Sequence, residues 1–119
     1  MTEQTAADCL FCRLVRGEIP AKVVFEDERL FAFEDVRPMA PVHFLLVPKA
    51  HFASLNEAPE GAGALLGEIL LRAREIAREK GIGETGYRIV LNTAKDAGQT
   101  VFHIHFHVLG GRHLEWPPG

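Results

Sequence analysis

The chain has no run of some eighteen apolar residues, so nothing in it reads as a membrane-spanning helix. Its first residues, MTEQTAAD, are polar and carry neither the basic nor the apolar region of a secretory signal, and the expected location is cytoplasmic. Positive charge is also short. Thirteen Lys and Arg against sixteen Asp and Glu leave a formal charge of −3, with a pI near 6.0. Such a balance gives no electrostatic footprint for nucleic acid or an anionic membrane. Any phosphate must therefore be held by local geometry and not by a basic surface. Cysteine is limited to Cys9 and Cys12, spaced CxxC. In a reducing compartment that spacing points to a metal half-site or a redox pair before a structural disulfide.

What remains is ordinary globular material, 47% apolar and 24% charged over 119 residues, enough for one core and one domain. Residues 1–8 read as a flexible polar tail and 9–119 as a single domain. Leu10, Phe11, Leu14 and Val15 recur at helical spacing, which predicts a short helix over 9–16 ended by Gly17. KVVFE (22–26) and LFAFE (30–34), separated by DER, predict a hairpin. HFLLVP (43–48) is apolar enough for a central strand. From Gly61 to Lys80 the apolar positions follow a helical period, the one long helix, with Gly81 as its stop. YRIVLN (87–92) and VFHIHFHVL (101–109) complete the strands, with a Gly-containing loop between them long enough to be functional. Five strands in hairpin-like succession with one long helix inserted predict an α+β fold around an antiparallel sheet.

Three of the six histidines fall at alternate positions of HIHFHVL (103–109). In a strand His103, His105 and His107 would share one face, with Ile104, Phe106 and Val108 on the other. Residues i and i+4 of a strand lie roughly 13 Å apart, too far for one ion to gather all three histidines. The CxxC offers a division. Cys9 and Cys12 supply two ligands of the tetrahedral thiolate and imidazole type, and His51 with an end histidine of the triple could complete a closed, structural zinc site. The plainer alternative is two buried cysteines without metal.

His105, the middle residue, then stands out as nucleophile or base, because a neutral imidazole can attack phosphorus and form a phosphoramidate. His107 could donate a hydrogen bond to the same phosphate. GQT (98–100) offers backbone N–H groups, an amide and a hydroxyl as a cradle that needs no net positive charge.

The pattern HIHFHVL resembles the signature of the histidine triad (HIT) superfamily of nucleotidyl hydrolases and transferases. IPAKVVFEDE (19–28), LFAFEDVRPMAPVHFLLVPKAH (30–51), GYRIVLN (86–92), AGQTVFHIHFHVLGGR (97–112) and the terminal WPPG extend the resemblance over nearly the whole chain, to the Hint branch of purine nucleoside phosphoramidases.

The resemblance implies a nucleophilic His105 that attacks the α-phosphorus of a nucleoside phosphoramidate or acyl-adenylate and leaves a nucleotidyl-histidine that water hydrolyses. It implies phosphate and ribose contacts from His107, Asn92, Gly98, Gln99, Thr100 and Val101, and Asp35 as acceptor for the ribose hydroxyls. The purine slot would comprise Leu10, Phe11, Ile19, Phe33 and Val36, and His43 would belong to the catalytic network. Thr100 stands where serine is common; it keeps the hydroxyl and adds a methyl.

Bacterial relatives bind zinc through residues that match Cys9, Cys12, His51 and His103, so the resemblance implies one structural Zn²⁺ per chain and removes any catalytic claim from His103. It further implies a twofold homodimer whose two sheets join into ten strands, with the Trp116, Pro117 and Pro118 segment reaching the partner's site. The expected substrate is a purine nucleotide releasing AMP or GMP, with neither nucleic acid nor membrane as partner. Two alternatives stand beside this reading: a dinucleoside polyphosphate hydrolase or a nucleotidyltransferase of the same superfamily, and a nucleotide-binding or interaction module whose catalysis is incidental.

Overall fold

A computed structural model describes residues 9–119; the tail expected over 1–8 lies outside the described residues. The chain opens with helix α1 (Leu10–Val15), capped by Cys9, whose Sγ accepts the Cys12 N–H at 3.3 Å. Gly17, at φ 76°, turns the chain out of it, as its position predicts. Strands β1 (Val23–Glu26) and β2 (Leu30–Glu34) form the expected hairpin. Its turn is held by Asp27, whose Oδ1 accepts the N–H groups of Arg29 and Leu30 at 2.8 Å each.

Strand β3 (Val42–Pro48) is buried from His43 onward, the burial expected of a central strand. It pairs antiparallel with β2 on one side. Its other neighbour is not the next strand in sequence. Helix α2 (Gly63–Glu79) carries the chain across the sheet to β4 (Tyr87–Val90), and the last strand, β5 (Phe106–Gly110), inserts between β3 and β4. The five strands thus run β1-β2-β3-β5-β4, all antiparallel, and simple hairpin succession fails at the β3 to β4 step. No helix among the described residues is long and apolar enough to cross a membrane.

The sheet separates two cores. On one face Leu30, Ala32, Phe44, Leu46, Phe106 and Val108 pack beneath Ile69, Ala73 and Ile76 of α2. On the other, Phe31, Phe33, Leu45 and Val47 pack against Cys9, Phe11 and Cys12 at α1. Strand alternation places His43 of β3 and His107 of β5 on the α1 face. Nothing as bulky as α2 covers this side. It is where polar side chains can be both partly buried and reachable.

The expected strand over 101–109 is corrected: the ladder begins only at Phe106. Residues 101–105 leave it because they are committed elsewhere. The Ile104 N–H bonds the Phe52 carbonyl at 2.9 Å, and the His103 ring, fully buried, bonds the Pro48 carbonyl. Of the three histidines only His107 is in the strand. The alternation survives the break, since Ile104 still joins Phe106 and Val108 in the α2-side core. Likewise β4 stops at Val90, which leaves Leu91 and Asn92 to start the loop.

Gly110 closes β5 under tight constraint. A Cβ there would lie 2.8 Å from Ile82 Cδ1 and 3.1 Å from the Gly86 carbonyl oxygen. Gly110→Ala is expected to destabilise the fold by about 1–3 kcal/mol, since the backbone carbonyl cannot rotate away as a side chain can. Thermal unfolding checks this; an unchanged Tm would show that the loop ahead of β4 yields freely.

Candidate active site and metal centre

The first cluster draws four donors from three parts of the chain. Cys9 and Cys12 stand one helical turn apart at the start of α1, His51 follows β3, and His103 precedes β5; their donor atoms all lie within 4.8 Å of one another. His103 Nε2–H donates to the Pro48 carbonyl at 2.7 Å, so its Nδ1 turns a lone pair toward the cysteines. From that Nδ1, Cys9 Sγ is 3.3 Å away, Cys12 Sγ 3.5 Å and His51 Nδ1 3.1 Å, while His51 Nδ1 is 3.4 Å from Cys12 Sγ. These separations fit the edges of a coordination tetrahedron. With Zn–N near 2.0–2.1 Å and Zn–S near 2.3 Å, ligand atoms around one zinc sit about 3.3–3.8 Å apart.

Burial sharpens the case for a cation. Desolvation pushes the Cys12 thiol up to about 11 and the His103 imidazole down to about 4. At pH 7 both groups are then neutral. A divalent cation would supply the charge that turns buried thiols into thiolate ligands. The donor set therefore fits Zn²⁺ in a closed Cys2His2 site with no open position for chemistry.

The second cluster lies beside the first. His105, 7% exposed, directs Nδ1 at the carbonyl of His103, 2.8 Å away. A carbonyl only accepts, so Nδ1 carries the proton and Nε2 is left with its lone pair. Phe11 packs edge-on against this ring at 5.0 Å and against Phe33 at 5.4 Å. Desolvation lowers the pKa of His105, with Asp35 opposing, so the nucleophilic form prevails at neutral pH.

The His107 ring stands 5.2 Å from that of His105. Its protonation follows from a chain of bonds. The Met39 N–H donates to His43 Nδ1 at 3.0 Å, so His43 carries its proton on Nε2. That proton is shared with His107 Nδ1 at 3.0 Å and Asp35 Oδ2 at 3.4 Å. His107 consequently holds its own proton on Nε2, as a donor. Burial lowers His43 and brings His107 down to about 4, so the His43 contact to Asp35 is a bond from a neutral imidazole and not an ion pair. The other Asp35 oxygen accepts the Arg37 N–H at 2.7 Å.

Beside these residues opens a cleft of about 610 Å³, lined by Phe33, Asp35, Val36 and His43 among the expected residues. Leu14, Lys22 and Glu34 also line it and were not anticipated. Leu14 had a signal, since it shares the helical face of Leu10. Lys22 and Glu34 had none; they meet because the Glu34 N–H bonds the Lys22 carbonyl at 3.0 Å across the hairpin. Phe11 is core beneath His105 more than open wall, Leu10 is largely exposed at the helix start, and Ile19 is half-buried. Val36, at 95% exposure, stands at the cleft's mouth.

The loop ahead of the histidines departs from expectation at Gln99. Its amide was expected to face an anion, but it is buried and spent on the protein. Nε2 donates to the carbonyls of Ala53 at 2.7 Å and Val101 at 3.1 Å, and Oε1 accepts the Ala94 N–H at 2.9 Å. The N–H groups of Gly98 and Gln99 bond the carbonyls of Lys95 and Ala94. Thr100 is exposed, Asn92 and Val101 are half-buried, and Gly98 occupies the left-handed region at φ 82°. Trp116, 79% exposed, lies in the C-terminal segment outside both clusters.

Comparison with known families decides the affiliation: the HIT domain family matches residues 16–114. The chain belongs to the HIT family. Among HIT relatives, a HIT-like protein of Synechocystis is 50% identical over 114 residues, covering 96% of this chain and 99% of the relative. The crystal structure of a HIT family hydrolase from Legionella pneumophila superposes with a TM-score of 0.92 at 51% identity, covering 93% of this chain and 99% of that one. A zinc-bound histidine triad family protein from Mycobacterium smegmatis superposes with a TM-score of 0.76 at 37% identity, covering 91% and 78%.

For this HIT protein the metal fit predicts about one zinc per chain by elemental analysis of the purified protein. Adding zinc to metal-stripped protein in weak buffer at pH 7 should release close to two protons per chain as Cys9 and Cys12 ionise, and Tm should rise by about 10 °C or more. Stripped protein of unchanged Tm that takes up no zinc would remove the metal centre.

Proposed function

We propose that this HIT protein is a hydrolase that cleaves the P–N bond of purine nucleoside 5′-phosphoramidates, and acyl-adenylates with them, through a covalent nucleotidyl-His105. The observation that carries it is the bond from His105 Nδ1–H to the His103 carbonyl, which fixes the tautomer whose Nε2 can attack.

The nucleotide sits with its purine in the cleft beside Phe33, Val36 and Leu14 and its ribose hydroxyls on the Asp35 carboxylate. Asn92, Thr100, His107 and the main chain around Val101 surround the phosphate. His105 Nε2 attacks the α-phosphorus as the P–N bond breaks, and the departing amine takes up a proton from solvent water, which the water that later attacks phosphorus returns to solvent. His107 Nε2–H, fixed by His43 and Asp35, bonds the phosphate oxygens on which charge gathers. Water then attacks the same phosphorus, the P–Nε2 bond breaks, and His105 regains its lone pair as AMP or GMP leaves.

The zinc is structural and takes no part in the reaction. Two copies join sheet to sheet into a ten-stranded dimer, and the Trp116 segment reaches toward the partner's site.

His105→Ala is expected to lower turnover of a fluorogenic adenosine phosphoramidate by about 10⁴-fold or more while AMP still binds within a few-fold of the parent. Turnover near the parent level would sink the mechanism, and faster cleavage of a dinucleoside polyphosphate would favour the other hydrolase reading.

The pH profile offers a separate check. His107 acts as a neutral donor, and a group whose pKa is lowered to about 4 stays neutral at every pH above that value. From pH 8 downward kcat/KM should therefore hold through 6.5, the ordinary imidazole value, and its acid limb should lie below that, because burial lowers both His105 and His107. An acid limb centred at 6.5 would show that burial does not lower the imidazoles that act on the phosphate.

A further inference from the structure

Ala94 is the one non-glycine residue of positive φ among the described residues, at φ 68° and ψ −173°. Side chains with a Cβ rarely adopt that conformation, which is close to glycine's alone, and it persists only where surrounding contacts enforce it. Here the enforcing contacts come from one residue. Gln99 Oε1 accepts the Ala94 N–H at 2.9 Å, and the Gln99 main-chain N–H donates to the Ala94 carbonyl at 3.2 Å, so both peptide groups of Ala94 are held.

The same side chain reaches two other segments. Its Nε2 protons bond the Val101 carbonyl, two residues ahead of His103, and the Ala53 carbonyl, two residues past His51. Segment 51–54 is in turn tied to the residue before His105, through the Phe52 carbonyl and the Ile104 N–H. With donor and acceptor atoms all engaged and only 6% of the residue exposed, Gln99 has no free amide group to offer a substrate.

We propose that Gln99 is a positioning residue for the phosphate loop: it clamps Ala94 in its strained backbone conformation and so fixes residues 94–101 against the segment that carries His51. Its contribution to catalysis passes through loop geometry and not through contact with phosphate. The catalytic half of this inference rests on the activity proposed above; the clamp itself does not.

The strain at position 94 makes a rescue possible. In Gln99→Ala the side-chain half of the clamp is gone, only the main-chain N–H of residue 99 still holds the Ala94 carbonyl, and Ala94 relaxes toward negative φ, taking the loop with it. In Ala94→Gly the same backbone conformation carries no Cβ penalty, so the loop holds its shape with less help. The experiment is a double-mutant cycle on the full chain, read by kcat/KM on an adenosine phosphoramidate, by AMP affinity, and by hydrogen exchange over residues 93–102.

Gln99→Ala should lower kcat/KM by about 20-fold or more and accelerate exchange across the loop, and Ala94→Gly alone should stay within about threefold of the parent. The double variant should recover about fivefold or more over Gln99→Ala, in activity and in AMP affinity, with exchange slowed again. A double variant no better than Gln99→Ala overturns the proposal, because a direct phosphate contact cannot be restored by a glycine elsewhere. Unchanged exchange in Gln99→Ala overturns it as well. If that variant fails to fold, Gln99→Met, which keeps the side-chain volume and loses both the acceptor for Ala94 and the donors, takes its place in the same cycle. A parent protein that turns over no phosphoramidate while the exchange and rescue pattern holds would refute the proposed activity and leave the clamp standing.

Discussion

The structure depends on one residue facing two ways. His103 donates through its ring to the Pro48 carbonyl, which aims its Nδ1 at Cys9 and Cys12, and through its own carbonyl it accepts the Nδ1–H of His105. The first bond leaves the His103 Nδ1 lone pair turned toward the thiols, and the second leaves the His105 Nε2 lone pair free. A single fully buried residue thus couples the order of the α1 cysteines to the tautomer of the His105 imidazole. The coupling is mechanical, carried by 2.7 and 2.8 Å bonds at either end of one residue, and needs no moving part.

Around that joint the fold divides its labour by face. The α2 face is an apolar core built from aliphatic and aromatic residues of β2, β3 and β5 beneath α2, and it keeps β3 and β5 in register. The α1 face has a thinner cover, a helix of six residues, and into the space it leaves come Phe11, His105, His107, His43 and Asp35. A long helix there would have buried the histidines beyond reach. No cover at all would have left them solvated and protonated more readily.

Partial burial is also what sets the chemistry. His43, His105 and His107 are each lowered first by desolvation, and Asp35, the carboxylate beside them, opposes without overcoming it. The site therefore presents neutral imidazoles with assigned protons: a lone pair at His105 Nε2 and a donor at His107 Nε2. Order among these tautomers comes from main-chain groups, the Met39 N–H at one end and the His103 carbonyl at the other, which cannot change protonation state. Side-chain partners alone would have left the proton positions interchangeable.

Much of this was legible before any coordinates. The 3.6-residue period of 61–80 predicts α2 to within two residues of its ends, the alternation in HIHFHVL separates the three histidines from Ile104, Phe106 and Val108, and the CxxC with His51 outlines the metal ligands. Local periodicity and ligand chemistry are properties of the chain itself, and the sequence by itself determined those. What it did not contain was the order β3-β5-β4, because strand neighbours are chosen by a crossover that spans fifty residues and more. Nor did it contain the break at residues 101–105 or the inward turn of Gln99, since a strand pattern and a polar amide look the same whichever partner they meet. Those were decided by tertiary structure alone: buried hydrogen-bonding groups must be satisfied, and the carbonyls of Pro48, Phe52 and Ala53, far away in sequence, were the groups that came within reach.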